Sequence, residues 1–302
     1  MEPIIECVPN LSEGRSESFM QDARDALGCV KGVALLDASA DADHNRSVYT
    51  LAGSPAATVD ALLLLAQLAA ERIDLRTHVG QHPRIGALDV APFVPIAGLT
   101  DAETVVVASE FALRLWEELQ VPSFFYGLAA TTPGRQQLQD IRRGGFEGLV
   151  ADAASVSYDV GTELHPTAGA TAVGVRKPLI AWNVDLATED VGPAKRIARA
   201  IRESSGGFPA VKALGLHLPS RNVTQVSMNL VDYERTLPQV VFSRICELAE
   251  GEGVSVIDSE LIGLIPKKAL GRDGGEGLGI RGFKPSMILE NRIEQELDCE
   301  LR

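Results

Sequence analysis

The order of strand-like and helix-like segments occurs twice along the chain, and this order constrains the fold more than any other feature. In the first half, a strand pattern over residues 4–8 and a helix pattern over 16–27 precede two strands separated only by a polar loop, then a helix and another strand. Residues 179–257 repeat the order βαββαβ. The sequence therefore predicts an α+β fold of two ferredoxin-like subdomains, each an antiparallel sheet carrying its helices on one face.

We place the boundary between these units near residues 176–178, which gives an N-terminal subdomain of residues 1–177 and a C-terminal subdomain of residues 178–302. Residues 150–172 show no sustained helical or strand period, and a stretch of that length is uncommon in a compact domain unless it has a function. We interpret it as a binding loop or a partly helical crossover. The Val- and Leu-rich strands leave a second apolar face on each sheet, so we expect the sheets to face each other or a second subunit.

The composition excludes several classes of partner. A net charge of -13, from 41 acidic and 28 basic residues, argues against a broad nucleic-acid-binding face. The most apolar stretch, residues 61–70, is too short to span a bilayer, and the N-terminus has no basic region before an apolar run. The 4 cysteines show no metal-binding or disulfide spacing. We expect a cytoplasmic protein with no nucleic-acid or membrane partner.

The densest cluster of chemically versatile residues is RIDLRTHVGQHPRIGALD, residues 72–89, which contains His78, His82, Arg84 and Asp89. Histidine is suited to general acid–base catalysis near neutral pH because its ordinary pKa is about 6.5. The alternative is that both histidines are loop residues that make backbone hydrogen bonds. The intervening Gly and Pro disfavour a helix that would align the histidines, and no third ligand follows, so we predict no metal site.

Three further motifs are weaker evidence for a ligand-binding site. The acids in DASADADHNRS, residues 37–47, lack the Gly and the distant Glu of a calcium loop. Residues 169–171, with Arg176 and Lys177, would offer small residues and two cations to an anionic ligand, or form an exposed basic pair. The GxGxxG match at residues 277–282 follows no strand, so we interpret it as a flexible loop and reject a dinucleotide site.

Three of the longest motifs, ECVPNLSEG (residues 6–14), HNRSV (44–48) and HVGQHPRIGALDV (78–90), together resemble the glutamate formimidoyltransferase family, folate-dependent enzymes of histidine degradation. The resemblance extends over nearly the whole chain. It implies two ferredoxin-like subdomains, a homodimer, tetrahydrofolate as co-substrate and no metal. Some animal members are fused to a cyclodeaminase, and we expect this chain to be monofunctional.

The resemblance also implies roles for individual residues. His82 matches the catalytic histidine of the family, and we propose Arg84, Asn10 and Asn45 as carboxylate or orientation contacts. The catalytic residues predicted in this way are His82 and Arg84. The predicted substrate- and folate-binding residues are Asn10, Ser39, His44, Asn45, Glu163, Leu164, His165, Pro166, Thr167, Ala168, Gly169, Ala170, Thr171, Ala172, Arg176 and Lys177. Arg176 and Lys177 would attract the glutamyl carboxylates of folate.

Two segments depart from the pattern of the family. Ser39 stands where better-known members have an acidic residue that positions the substrate; Asp41 or Asp43 would then take its place, or the acceptor would differ. Residues 270–283 are short and Gly-rich where relatives carry a longer, helix-containing segment. The leading hypothesis is formimidoyl transfer between N-formimidoyl-L-glutamate and tetrahydrofolate. The alternatives are an enzyme acting on 5-formyltetrahydrofolate, by formyl transfer or ATP-linked cyclisation, and a catalytically silent folate-binding dimer.

Overall fold

A computed structural model of the chain describes residues 2–81, 83–299 and 301. The chain forms two compact units: one comprises the residues up to Arg176 together with a C-terminal stretch from Glu296, and the other comprises Lys177–Gln295. Each unit contains one sheet with helices between its strands. The predicted α+β class is confirmed.

The first unit begins with the predicted order of elements and has one additional short strand, β2 (Asn10–Leu11), after the first strand. β1 pairs antiparallel with both β4 and β5, and β3 pairs with β4. Helix α1 begins at the predicted position because the Ser16 side chain accepts a hydrogen bond from the Phe19 N–H. The elements are β1 (Ile4–Cys7), β2 (Asn10–Leu11), α1 (Glu17–Gly28), β3 (Val33–Asp41), β4 (Arg46–Gly53), α2 (Pro55–Arg72) and β5 (Leu88–Ala97).

Two parallel strands extend the sheet beyond β5. β7 pairs in parallel with β5 on one side and with β6 on the other. The sequence pattern did not predict β7, which directly follows the irregular segment. The Gly144-Gly145 pair separates two short helices: both residues have positive φ, α4 ends at Ile141 and α5 begins at Gly145. The remaining elements of this unit are α3 (Asp101–Leu119), β6 (Ser123–Gly127), α4 (Leu138–Ile141), α5 (Gly145–Ala151) and β7 (Thr171–Val175).

The second unit also has the order β-α-β-β-α-β. Its four strands pair in the order β11-β8-β10-β9, and every pairing is antiparallel. Alternate residues of β8, including the buried Trp182, face the helices and form the core of the unit. The elements are β8 (Ile180–Leu186), α6 (Val191–Ile201), β9 (Val211–Leu218), β10 (Val223–Leu230), α7 (Pro238–Gly251) and β11 (Val256–Ile262); α8 (Leu289–Leu297) follows near the C-terminus.

Residues 277–282, which match GxGxxG, lie in a turn-rich loop between β11 and α8. The Asp273 carboxylate accepts hydrogen bonds from the N–H groups of Gly275 and Gly277, at 3.2 and 2.9 Å. The Ser259 hydroxyl donates to the carbonyl of the buried Leu278 at 2.7 Å. Side-chain hydrogen bonds to the backbone therefore support this loop.

The sequence contains two capping-box patterns, TDAE at residues 100–103 and TLPQ at residues 236–239, and each predicts the start of a helix. Thr100 and Glu103 form the predicted capping box at the start of α3. The capping box predicted at Thr236 is wrong, because its hydroxyl donates to the Pro209 carbonyl at 2.7 Å and Leu237 precedes the helix instead. Over the described ranges, no helix combines the length and the apolar character needed to cross a bilayer.

Candidate functional site

A β-bulge at the start of β5 buries Asp89 beneath the preceding loop. Leu11 pairs with Leu88 and Asn10 pairs with Val90, so Asp89 is the extra residue of the bulge. Its side chain leaves the regular alternation of the strand, and the residue is only 1% exposed. This local irregularity gives a carboxylate access to two neighbouring segments.

Asp89 holds the loop before β5 to the end of α4. Its Oδ1 accepts hydrogen bonds from the N–H groups of Ile85 and Gly86, at 2.7 and 3.3 Å. Its Oδ2 accepts a hydrogen bond from Arg142 Nη2 at 2.5 Å. A buried carboxylate with these three donors is fully engaged, so Asp89 acts as an anchor for residues 83–88.

Asn45 joins three loops of the first unit. Its Oδ1 accepts from the Gly14 N–H at 3.0 Å, and its Nδ2 donates to the Val79 carbonyl at 3.1 Å. The residue is 7% exposed and has a φ of 50°, a left-handed conformation that Asn adopts more readily than most residues. Both ends of the amide that we predicted to contact substrate are therefore bonded within the chain.

His78 is held with both ring nitrogens occupied. Nδ1 accepts from Arg84 Nε at 3.0 Å, which assigns the proton to Nε2, and Nε2 donates to the Asn45 carbonyl at 3.1 Å. Burial lowers the pKa of His78 below its ordinary value, and the Arg84 guanidinium lowers it further. His78 is therefore a neutral loop histidine, the alternative considered for the two histidines of this cluster.

Arg84 forms a paired contact with Glu147, at the start of α5. Nη1 and Nη2 donate to the two carboxylate oxygens at 2.9 and 2.7 Å, and this interaction lowers the pKa of Glu147. The Arg84 side chain is 14% exposed, and its backbone carbonyl accepts from the Phe146 N–H at 2.9 Å. Arg84 is thus connected to α5 through both its side chain and its backbone.

The segment predicted to bind folate lies directly beside this loop. Ala87 N–H donates to the Ala168 carbonyl at 2.8 Å, and Ala170 N–H donates to the Ile85 carbonyl at 2.9 Å. The two chains approach so closely that a Cβ on Gly169 would overlap the Ile85 carbonyl oxygen. Gly169 also has a φ of 72°, so only glycine meets both requirements.

Half of the predicted folate-binding segment faces the protein interior. Residues 168–172 are buried, and the Thr171 hydroxyl donates to the Leu88 carbonyl at 2.8 Å. Residues 163–167 are partly or fully exposed. Among them, His165 accepts at Nδ1 from the Thr167 and Ala168 N–H groups, at 3.3 and 2.9 Å, and burial lowers the pKa of His165. The surface of the segment available to a ligand is therefore residues 163–167.

The β3–β4 hairpin carries two further predicted site residues. Ser39 is exposed on β3 opposite Val48. His44 is exposed in the hairpin turn, with Nδ1 3.0 Å from the Asp41 carboxylate. Asp41 also accepts from the N–H groups of Asp43 and His44, so it stabilises the turn.

The other predicted residues are more dispersed. Asn10 donates to the Val8 carbonyl at 3.0 Å. Arg176, at the end of β7, lies in the first unit and Lys177 in the second, where its Nζ is 3.7 Å from the Glu234 carboxylate. The predicted catalytic residue His82 lies outside the described residues.

Three charged residues that the sequence analysis did not select accompany Asp89 and Arg84. They are Arg46, Arg142 and Glu147. Burial lowers the pKa of Arg46, and the neighbouring Arg142 lowers it further. Arg46 follows Asn45 in the HNRSV motif, and this motif could have identified Arg46 as a site residue. Arg142 directly follows α4 and Glu147 lies on α5, and neither of these short helices carries a motif. Arg46 is close enough to Arg142, Asp89 and Asp41 to be affected by their charges, so two guanidinium groups and two carboxylates form this cluster.

The buried cysteine of β1 is an ordinary core residue. Cys7 is 0% exposed, and burial raises the pKa of its thiol well above the ordinary value. Within residues 2–81, 83–299 and 301, no three His, Cys, Asp or Glu side chains are grouped as metal ligands would be.

Sequence comparisons define the class of the protein. Residues 4–176 match the profile of the formiminotransferase domain, N-terminal subdomain, and residues 181–274 match the profile of the formiminotransferase domain. These matches, with the two α+β units, identify the chain as a transferase.

Relatives of similar length support the same conclusion. The chain is 44% identical over 297 residues to a glutamate formimidoyltransferase of Streptococcus pyogenes, covering 97% of this chain and 99% of that protein. It is 38% identical to a glutamate formimidoyltransferase of Thermoplasma acidophilum, covering 98% and 99%. It is also 40% identical to a formimidoyltransferase-cyclodeaminase of Mus musculus, covering 89% of this chain and 51% of that longer protein. The chain belongs to the glutamate formimidoyltransferase (formiminotransferase) family.

Proposed function

We propose that this enzyme transfers a formimidoyl group between N-formimidoyl-L-glutamate and tetrahydrofolate, a step of histidine degradation, with His82 as general acid and base. The observation that carries the proposal is the backbone pairing between residues 85–87 and residues 168–170. This pairing brings the segment with the family's folate-binding pattern against the loop that includes position 82. Family membership supplies the reaction class.

The reaction requires proton transfer at two nitrogen atoms. N5 of tetrahydrofolate attacks the formimidoyl carbon as a neutral amine and loses a proton as the new C–N bond forms. The bond from that carbon to the glutamate nitrogen then breaks, and the departing amine takes up a proton. One histidine serves both steps by accepting the first proton and returning it. His78 is engaged at both ring nitrogens, which favours His82 as the histidine of this loop for the role.

The local charges fit an acidic substrate. N-formimidoyl-L-glutamate carries two carboxylates, and Arg46 and Arg142 provide guanidinium groups beside the loop anchored by Asp89. We also propose that the enzyme uses no metal and acts as a cytoplasmic homodimer. Arg176 and Lys177 are proposed to attract the folate glutamyl carboxylates.

The test is a steady-state assay of the purified protein with tetrahydrofolate and N-formimidoyl-L-glutamate, compared with His82→Ala. Loss of general acid–base catalysis lowers turnover by about 10²–10⁴-fold. Affinity for tetrahydrofolate should remain within a few fold, because the exposed residues of the 163–167 segment are unchanged. His217→Ala, at an exposed position of β9, is the matched control. Retained turnover in His82→Ala would refute the catalytic role.

Ser39 favours a second candidate, an enzyme acting on 5-formyltetrahydrofolate. An exposed hydroxyl on β3 replaces the carboxylate expected from the family pattern. Parallel assays with 5-formyltetrahydrofolate, with and without ATP, distinguish this activity from formimidoyl transfer. Folate binding without turnover of either substrate would instead identify a silent binding protein.

A further inference from the structure

We infer that Arg84 and Glu147 are positioning residues, whose ion pair fixes the loop on both sides of position 82, and that Arg84 does not bind the substrate carboxylate. The inference rests on the proposed function, because the loop matters for turnover only if residue 82 takes part in the reaction. It also changes the role that the sequence motif suggested for Arg84.

The donors of Arg84 are almost fully engaged within the chain. Nε donates to His78, Nη1 donates to Glu147, and Nη2 donates to Glu147 and to the His78 carbonyl at 3.2 Å. Nη2 also lies 3.4 Å from the Leu75 carbonyl. A guanidinium has five N–H donors, and contacts within the described part of the chain use four of them. Paired recognition of a carboxylate needs two parallel donors on one edge of the guanidinium. Arg84 cannot provide such an edge without breaking its contacts with Glu147 or those with His78.

Glu147 lies on α5, a helix that packs against the protein through Phe146. Phe146, its neighbour at the start of α5, is 4% exposed, and its N–H bonds to the Arg84 carbonyl. The Glu147 carboxylate itself is 66% exposed, so it is hydrated on one side while both oxygens accept from Arg84. The pair therefore holds the loop to α5 through two directed hydrogen bonds, and its charges are not deeply buried.

The contacts reach both sides of position 82. On one side, Gln81 N–H donates to the Asp43 carbonyl at 3.3 Å, which ties the loop to the β3–β4 hairpin. On the other side, Arg84 is tied to α5 and, through His78, to Asn45. Removal of Glu147 should loosen the second connection. A displacement of about 1 Å at a reacting group is enough to lower turnover by about 10²-fold.

The kinetic test compares Glu147→Ala and Arg84→Met with Glu118→Ala, which removes a similar contact to an arginine on the surface of α3. We expect both loop variants to lower kcat about tenfold or more, with the KM for N-formimidoyl-L-glutamate changed less than about twofold. The double variant should be no slower than the slower single variant, because both substitutions break the same connection. Glu118→Ala should match the unaltered enzyme.

Three kinetic results would overturn the inference. A KM raised about tenfold or more in Arg84→Met with kcat unchanged would show that Arg84 binds substrate. Independent, additive effects of the two substitutions would show that they do not act through one connection. Equal activity of Glu147→Ala and Glu118→Ala would show that the ion pair is an ordinary surface contact.

A spectroscopic test separates this inference from the proposed function. The ¹⁵N signals of His78 report which ring nitrogen carries the proton, and they should change in Glu147→Ala because the Arg84 Nε is no longer held against Nδ1. If the unaltered protein has no formimidoyl transfer activity, the proposed function is wrong and the positioning contact is judged by these signals alone. Unchanged His78 signals in Glu147→Ala would then overturn it.

Discussion

Replacing Asp89 with Asn removes the negative charge buried beside Arg142 while preserving the shape of the side chain. The asparagine side chain would keep one oxygen for the N–H groups of Ile85 and Gly86. Its amide nitrogen would face the Arg142 donor, or the oxygen would turn away from the loop. In either orientation the guanidinium loses its carboxylate partner.

The size of the effect follows from burial. The Asp89 and Arg142 side chains are only 2% and 12% exposed, so solvent replaces little of the lost interaction. Removing one partner of a buried ion pair destabilises a protein by about 3–5 kcal/mol. At about 2–4 °C per kcal/mol for a unit of this size, the melting temperature of the first unit should fall by about 6–20 °C.

The assay uses the distribution of tryptophan. Trp116 lies on α3 of the first unit and Trp182 on β8 of the second, so a Trp182→Phe background gives a fluorescence signal from the first unit alone. Urea unfolding is measured in this background for Asp89→Asn and for Asp22→Asn. Asp22 contacts Arg72 at 2.8 Å, with side chains 47% and 44% exposed, and its loss should change the stability by no more than about 1 kcal/mol.

A double variant tests the cause. Asp89→Asn combined with Arg142→Leu should be more stable than Asp89→Asn alone, because the unpaired guanidinium is removed. Equal destabilisation by Asp89→Asn and Asp22→Asn would refute the reasoning. So would a double variant whose loss of stability equals the sum of the losses in Asp89→Asn and Arg142→Leu.

Two further predictions concern the loop beside this anchor. Burial lowers the pKa of His78, so the unfolded chain takes up a proton there that the folded chain does not. Stability should therefore fall as the pH drops below about 6.5, and the unfolding free energy measured across this window should decline less steeply in His78→Gln. Gly80→Ala would place a Cβ on the His44 carbonyl oxygen, and it should lower the free energy of unfolding, measured in urea, by about 1–3 kcal/mol. In the control variant, Gly134→Ala, the new Cβ meets no atom within 4 Å. Equal stability of the two variants would contradict the close packing at Gly80.

The order of elements was predictable because most strands and helices have strong apolar periodicity of their own. β7 was not, since it is a short strand whose parallel partners are distant in sequence, and its pairing depends on tertiary structure. At Gly144-Gly145, the sequence shows a break between helices but does not show that α5 begins within the pair.

The site was predictable only in part for a similar reason. The motifs identified the loop with His78 and Arg84, and the resemblance identified the segment that lies beside it. Arg142 and Glu147 escaped detection because their partners Asp89 and Arg84 lie 53 and 63 residues away in sequence. Such pairs have no local pattern; the fold alone brings them together.

The parallel pairing of β5 with β7 also affects synthesis of the chain. Val90 pairs with Ala172, 82 residues later, whereas the β9–β10 hairpin closes within a few residues. At a translation rate of ~5–20 residues per second, this edge of β5 therefore remains unpaired for ~4–16 s before β7 has been synthesised. An apolar strand with an open edge is prone to pair with other chains during this interval. The strand that completes the site is thus also the one whose late arrival leaves the nascent protein most exposed to aggregation.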